Sequence, residues 1–118
     1  MKAIKQIYQN DSGTSFFWKK QHDIVIDKVQ LIFRETGFYL SRLELQQFKG
    51  CIEDSYRTNR NCESCELKNS CHKFLLRTPC DQIDLAVCMN ELTAVKDLVE
   101  GTLFNIQLID YLNGEGRN

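Results

Sequence analysis

The sequence lacks an excess of positive charge, lacks long hydrophobic runs and lacks the common catalytic signatures, and each absence removes a class of function. Lys and Arg number 15 against 16 Asp and Glu, for a net charge of −1 and a pI near 6.1. No surplus of cations is left to neutralise phosphates, so neither a nucleic acid nor an anionic membrane is an expected partner. No stretch approaches the roughly 20 apolar residues of a spanning helix. Met1-Lys2-Ala3-Ile4-Lys5-Gln6-Ile7-Tyr8-Gln9 also has no apolar run of signal-peptide length, which makes a cytoplasmic protein the expectation. There is no Ser-His-Asp order, paired-carboxylate pocket, Gly-rich phosphate loop or His-Glu-x-x-His helix, so the residues name no reaction.

What is present suffices for one globular domain over residues 1–118. With 42% hydrophobic and 26% charged residues, a chain of this length can bury about two thirds of its unfolded surface, enough to fold without staples. In a reducing compartment its six cysteines are expected as free thiols or metal ligands rather than disulfides.

Asn10-Asp11-Ser12-Gly13 is a turn signal, so Ile4 to Gln9 and Thr14 to Lys19 read as an opening hairpin. Ile24 to Phe33 reads as a strand with Val29, Leu31 and Phe33 on one face, to which Phe38 and Leu40 return after Glu35-Thr36. A first helix starts at Ser41: its hydroxyl can cap the Glu44 amide while Glu44 reaches back, and Leu40 can staple Leu45. Leu45, Phe48, Ile52 and Tyr56 form its apolar stripe, ended by Thr58-Asn59-Arg60-Asn61.

Ser41-Arg42-Leu43-Glu44-Leu45-Gln46-Gln47-Phe48-Lys49 aligns without gaps on Cys88-Met89-Asn90-Glu91-Leu92-Thr93-Ala94-Val95-Lys96. Either a hairpin–helix unit is pseudo-duplicated, or two amphipathic helices share a pattern by chance. The expected fold class is α+β, an antiparallel sheet of hairpins with two main helices and a Cys-rich loop inserted at about 58–72.

The second helix is expected from Met89 to Asn113, stopped by Gly114. Leu92, Val95, Val99, Leu103 and Ile106 line its core face, while Phe104, Leu108 and Tyr111 form a second apolar stripe that needs its own burial partner. Packing on the N-terminal hairpin is the first expectation. The same helix of another subunit, giving a homodimer, is the other.

Cys62, Cys65 and Cys71 follow a Cys-x2-Cys-x5-Cys spacing that can present three sulfurs to one ion. A fourth donor is then needed. Cys80 falls at a hairpin tip, where the strand Lys73 to Arg77 carries it too far away. A turn at Thr78-Pro79-Cys80-Asp81 pairs Leu76 with Ile83, Phe74 with Leu85 and His72 with Val87, setting Cys88 opposite Cys71. Cys88 is also the helix N-cap, where the helix dipole favours a thiolate. Cys88 is the first choice and Cys51, matched to Leu98 in the repeat, is the alternative. His72 adjoins Cys71 too closely to share its ion, and His22 reads as surface. Zn2+ or an iron–sulfur cluster suits such thiolates, and the remaining alternative is a loop of reduced thiols with no metal. Lys49, Lys68, Lys73 and Arg77 read as surface.

The Cys62, Cys65, Cys71 spacing resembles the cluster motif of fumarate-nitrate-reduction type oxygen-sensing regulators, and is similar to that closing the cluster site of RecB-type nucleases. Neither resemblance extends beyond the cysteines. A longer one covers Val29 to Asn113, on Val29-Gln30-Leu31-Ile32-Phe33-Arg34-Glu35-Thr36-Gly37-Phe38-Tyr39-Leu40, Leu75-Leu76-Arg77-Thr78-Pro79 and Asp97-Leu98-Val99-Glu100-Gly101-Thr102-Leu103-Phe104. It resembles a family of small Bacteroidetes-type bacterial proteins of unknown function, which implies a small bacterial cytosolic protein and no residue roles.

Three functions are therefore in contention. The first is a binding module whose metal-holding loop stiffens a surface for another protein. The second is a metal-free dimerisation or interaction module. The third is a thiol enzyme with Cys88 as nucleophile and His72 as base, disfavoured because their expected faces differ.

Overall fold

Asn10 makes the first turn with its own side chain: Oδ1 accepts the amides of Ser12 and Gly13 at 2.9 and 3.0 Å, closing an Asx turn. In the computed structural model, which describes residues 3–21, 23–59 and 73–112, this turn joins β1 (Ile4–Asn10) to β2 (Gly13–Lys20). A short β3 (Asp23–Ile24) pairs back on β2, and β4 (Lys28–Phe33) with β5 (Thr36–Ser41) completes a five-stranded antiparallel sheet ordered β1-β2-β4-β5. The fold is α+β, as the apolar periodicity predicts.

Alternation decides which face of this sheet is covered. Phe17, Val29, Leu31, Phe33 and Leu40 point inward and are buried, as a two-residue side-chain period requires. A register irregularity between Gln6 and Tyr8 turns Ile7 into the core, where it is 7% exposed. Gly13 sits where no side chain fits: a Cβ there would lie 2.1 Å from the Ile32 carbonyl oxygen and 2.8 Å from Leu98 Cδ2.

Helix α1 (Arg42–Asn59) begins with the expected reciprocal cap. The Glu44 amide donates to Ser41 Oγ at 3.1 Å and the Ser41 amide to Glu44 Oε1 at 2.9 Å. Leu45, Phe48 and Ile52 are buried and Tyr56 packs partly against them. Thr58 and Asn59, assigned from sequence to the inserted loop, still belong to this helix.

The second hairpin, β6 (Phe74–Arg77) with β7 (Asp84–Val87), corrects the expected register. Phe74 pairs with Val87, Leu76 with Leu85 and Arg77 with Asp84, a slip of two residues from the expected pairing. Thr78 causes it. Its hydroxyl lies 2.6 Å from the Ile83 carbonyl and 3.0 Å from that of Cys80, accepts the Cys80 amide, and is 5% exposed. The turn is thereby enlarged. A slip of two keeps each side chain on its face, so Leu76 and Val87 still reach the core. The pairing ends at Phe74 and Val87; carried one step further, the same register would set Cys88 against Lys73, in place of the expected Cys71.

Helix α2 (Met89–Leu112) buries Leu92, Val95, Val99, Leu103 and Ile106 as expected, and Leu98 and Thr102 as well. It lies between α1 and the N-terminal hairpin, so that one continuous core draws on both helices and both sheets. Polar bonds add to the apolar contact with the hairpin. Ser15 and Thr102 share a buried hydroxyl bond of 2.6 Å, Asn105 Nδ2 donates to the Ile7 carbonyl at 2.7 Å, and Asn10 Nδ2 to that of Ala94 at 3.0 Å. The Tyr8 hydroxyl lies 3.0 and 2.9 Å from the two Asp97 oxygens, with the Tyr8 ring over Gly101.

The hairpin therefore is not the partner of Phe104, Leu108 and Tyr111. Those three remain 65, 46 and 53% exposed.

Units β4–β5–α1 and β6–β7–α2 match in order and in burial, Leu45, Phe48 and Ile52 standing where Leu92, Val95 and Val99 stand. Both helices carry the same acidic cap, since the Cys88 amide donates to Glu91 Oε1 at 2.9 Å. The hairpins differ at their tips: two residues, Arg34 and Glu35, lie between the paired Phe33 and Thr36, against a longer connection between Arg77 and Asp84.

Candidate functional site

Two regions concentrate chemistry: the N-terminus of α2 around Cys88, and the exposed apolar face near the C-terminal end of the same helix. At the first, Cys88 is half-buried and its carbonyl accepts the Leu92 amide at 2.9 Å, opening the helix. Glu91, one turn in, gathers two cations. Arg34 Nη1 approaches its Oε2 at 2.8 Å and Lys73 Nζ its Oε1 at 3.3 Å. Arg34 reaches it from the tip of the β4–β5 turn, where a positive φ of 55° aims the chain and its amide donates to the Ser12 carbonyl at 2.7 Å. These groups and Val87 border an open hollow of about 280 Å³.

Burial pushes the Glu91 carboxyl up, but the Cys88 amide, the Lys73 ammonium and the Cys88 thiol outweigh it and hold the group below the usual carboxylate range. The Ser41 amide and hydroxyl do the same for Glu44. A carboxyl with a folded pKa below its unfolded value contributes stability above the unfolded value, and that contribution is lost as pH falls through the folded one. Unfolding by urea should therefore show a midpoint that drops between pH 6 and pH 3. Glu91→Gln should cost about 1 kcal/mol at pH 7 and flatten that drop, and an unchanged acid slope in the variant would show that Glu91 is not its source.

Sequence reasoning gives Glu91 no role and reads Lys73 as surface. A signal exists for Glu91: Cys88-x-x-Glu91 repeats the Ser41-x-x-Glu44 cap. For Arg34 and Lys73 there is no local signal, since each meets Glu91 only through the tertiary fold.

Of the thiols proposed as ligands, Cys62, Cys65 and Cys71 lie outside the described residues, as does His72. Among the described residues no group of three or more His, Cys, Asp and Glu could hold a metal ion. Cys51 is half-buried on α1, packed against the core, and borders a hollow shared with Asp54, Leu75 and Arg77. Cys80 is exposed at the hairpin tip, its thiol 3.5 Å from Gln82 Oε1.

The second region is apolar. Phe104, Leu108 and Tyr111 recur at i, i+4 and i+7 on one face of α2, and Leu112 beside them is 64% exposed. Leu112 is also one wall of a hollow of about 350 Å³ formed with Lys5, Phe17, Ile24, Ile26 and Ile109. On the opposite side the helix is held to α1 by Arg42 and Asp110, 2.5 Å apart.

No family model, curated protein or solved structure matches this chain. The described helices include none long and apolar enough to cross a membrane.

Proposed function

We propose that this protein is a small cytosolic bacterial interaction module that docks through the exposed face of α2. One observation carries the reading: three large apolar side chains at helical spacing, Phe104, Leu108 and Tyr111, stay in solvent although α2 packs on two sides and buries its other apolar face. Isolated exposed apolar residues are ordinary, whereas a contiguous stripe marks a surface that another molecule covers. Replacing Phe104 and Tyr111 together by Ser should leave stability within roughly 0.5 kcal/mol, as for other exposed sites. The same variant should lose binding of an apolar-surface dye and any concentration-dependent rise in light-scattering mass. A variant that keeps both removes the reading.

We also propose that Cys62, Cys65, Cys71 and Cys88 hold one Zn2+, or alternatively an iron–sulfur cluster, and so fasten the inserted loop to the start of α2. The register supports this at one point. Val87 pairs with Phe74, so that Cys88 and Lys73 are each one residue beyond a paired position, and the two residues of chain from Lys73 to Cys71 span at most about 7 Å. Elemental analysis and an absorption spectrum of anaerobically purified protein test it: zinc near one per chain, or iron with sulfide, is the expected result, and neither refutes it.

A further inference from the structure

We infer that the occupant of the α2 face is a second copy of this chain, held in a two-fold arrangement in which the aromatic ridge of each copy enters the apolar hollow of the other. The inference rests on the docking reading above and names its partner. Its basis is that ridge and hollow lie side by side. Phe104, Leu108 and Tyr111 form the ridge; Leu112, one turn beyond Leu108, is both the end of the ridge and a wall of the hollow whose other apolar residues include Ile24 and Ile26. A two-fold interface is built from one patch used twice, so that residue i of each copy meets residue j of the other. A projection and a depression joined at Leu112 satisfy that requirement with the axis passing near this residue.

The area fits. Ile24 and Ile26 are 40 and 48% exposed, and Leu112 is 64% exposed. Together with the ridge, at roughly 150–250 Å² for each large side chain, these residues leave on the order of 600 Å² of apolar surface on one copy. That is at the top of the range for the largest patch of a monomer, about 300–600 Å². With a polar rim it approaches the roughly 800 Å² per partner of a stable interface.

Charge does not oppose the pairing, since a net charge of −1 per chain gives two copies little repulsion. Lys5, which lines the hollow, would lie beside the incoming ring of Tyr111, a favourable neighbour for an aromatic face.

Sedimentation equilibrium over a concentration series tests the arrangement. The wild-type chain should approach twice its 13.8 kDa. Tyr111→Ser on the ridge and Ile26→Glu in the hollow should each raise the dimer Kd by at least about tenfold, with circular dichroism unchanged because both positions are exposed. A mixture of the two variants should regain part of the association, because the intact ridge of one still finds the intact hollow of the other.

If Ile26→Glu dimerises like wild type while Tyr111→Ser does not, ridge packs on ridge and the inference fails, although docking through α2 stands. A wild-type chain that stays monomeric at every concentration also overturns the second copy as occupant. The docking reading itself falls only if Phe104→Ser with Tyr111→Ser leaves dye binding to that monomer unchanged.

Discussion

Gly13→Ala should destabilise the protein by about 3 kcal/mol, at the upper end of the cost of overpacking. The added Cβ would meet the Ile32 carbonyl oxygen at 2.1 Å and Leu98 Cδ2 at 2.8 Å. The oxygen belongs to the backbone of β4, inside the sheet, so it cannot turn aside as the end of a flexible side chain could. Relief requires β2 to move off β4 or α2 to lift off the sheet. Gly50 supplies the control. It lies inside α1 with nothing within 4 Å of where an added methyl would stand, and Gly50→Ala should stabilise the helix by about 0.5–1 kcal/mol. Thermal unfolding of the two variants should shift in opposite directions. A Gly13→Ala protein as stable as wild type would show that the β2–β4 spacing is looser than these contacts imply.

At the proposed zinc site, Cys88→Ser should reduce bound zinc from the expected one or so per chain to near zero while leaving the metal-free fold intact. The separation is possible because the capping role of Cys88 and its proposed ligand role make different demands. As an N-cap it offers Glu91 its backbone amide and its thiol, and a serine hydroxyl can take the place of that thiol, since serine caps helices well. As a ligand it needs a thiolate. Cys51→Ser should retain the metal and instead lose a few tenths to about 1 kcal/mol, because Cys51 packs partly against the core. Retention of zinc by Cys88→Ser together with its loss in Cys51→Ser would exchange the two assignments. Measured zinc content and urea midpoints on the same samples distinguish these results.

Local rules read much of this fold from the residues. Asn10 to Gly13 name their turn, Ser41 and Glu44 name the start of α1, and the spacing from Leu92 to Ile106 names the buried face of α2. Each of these signals acts within a few residues. The second hairpin is legible in its faces and not in its register, because both pairings satisfy the same alternation. What selects between them is the Thr78 hydroxyl, bonded at 2.6 Å to Ile83, and hydroxyl direction leaves no trace in hydrophobic pattern.

The candidate sites divide in the same way. Phe104, Leu108 and Tyr111 are visible as a second stripe, yet their exposure depends on which α2 residues the hairpin chooses. It chooses Asp97, Gly101, Thr102 and Asn105, through hydroxyl and amide contacts that no hydrophobic count detects. Arg34, Lys73 and Glu91 converge from a turn, a strand end and a helix start. Such a meeting follows from topology alone.

The bonds from Ile7, Tyr8 and Asn10 to α2 join residues 84 to 98 positions apart. Local contacts form early and distant ones late, and closing so wide a loop costs entropy before any contact repays it. The β1–β2 hairpin must consequently wait for a helix more than 80 residues further along the chain to cover Ile7 and Phe17. Its assembly is ordered from that distant helix, which lets these two strands become native.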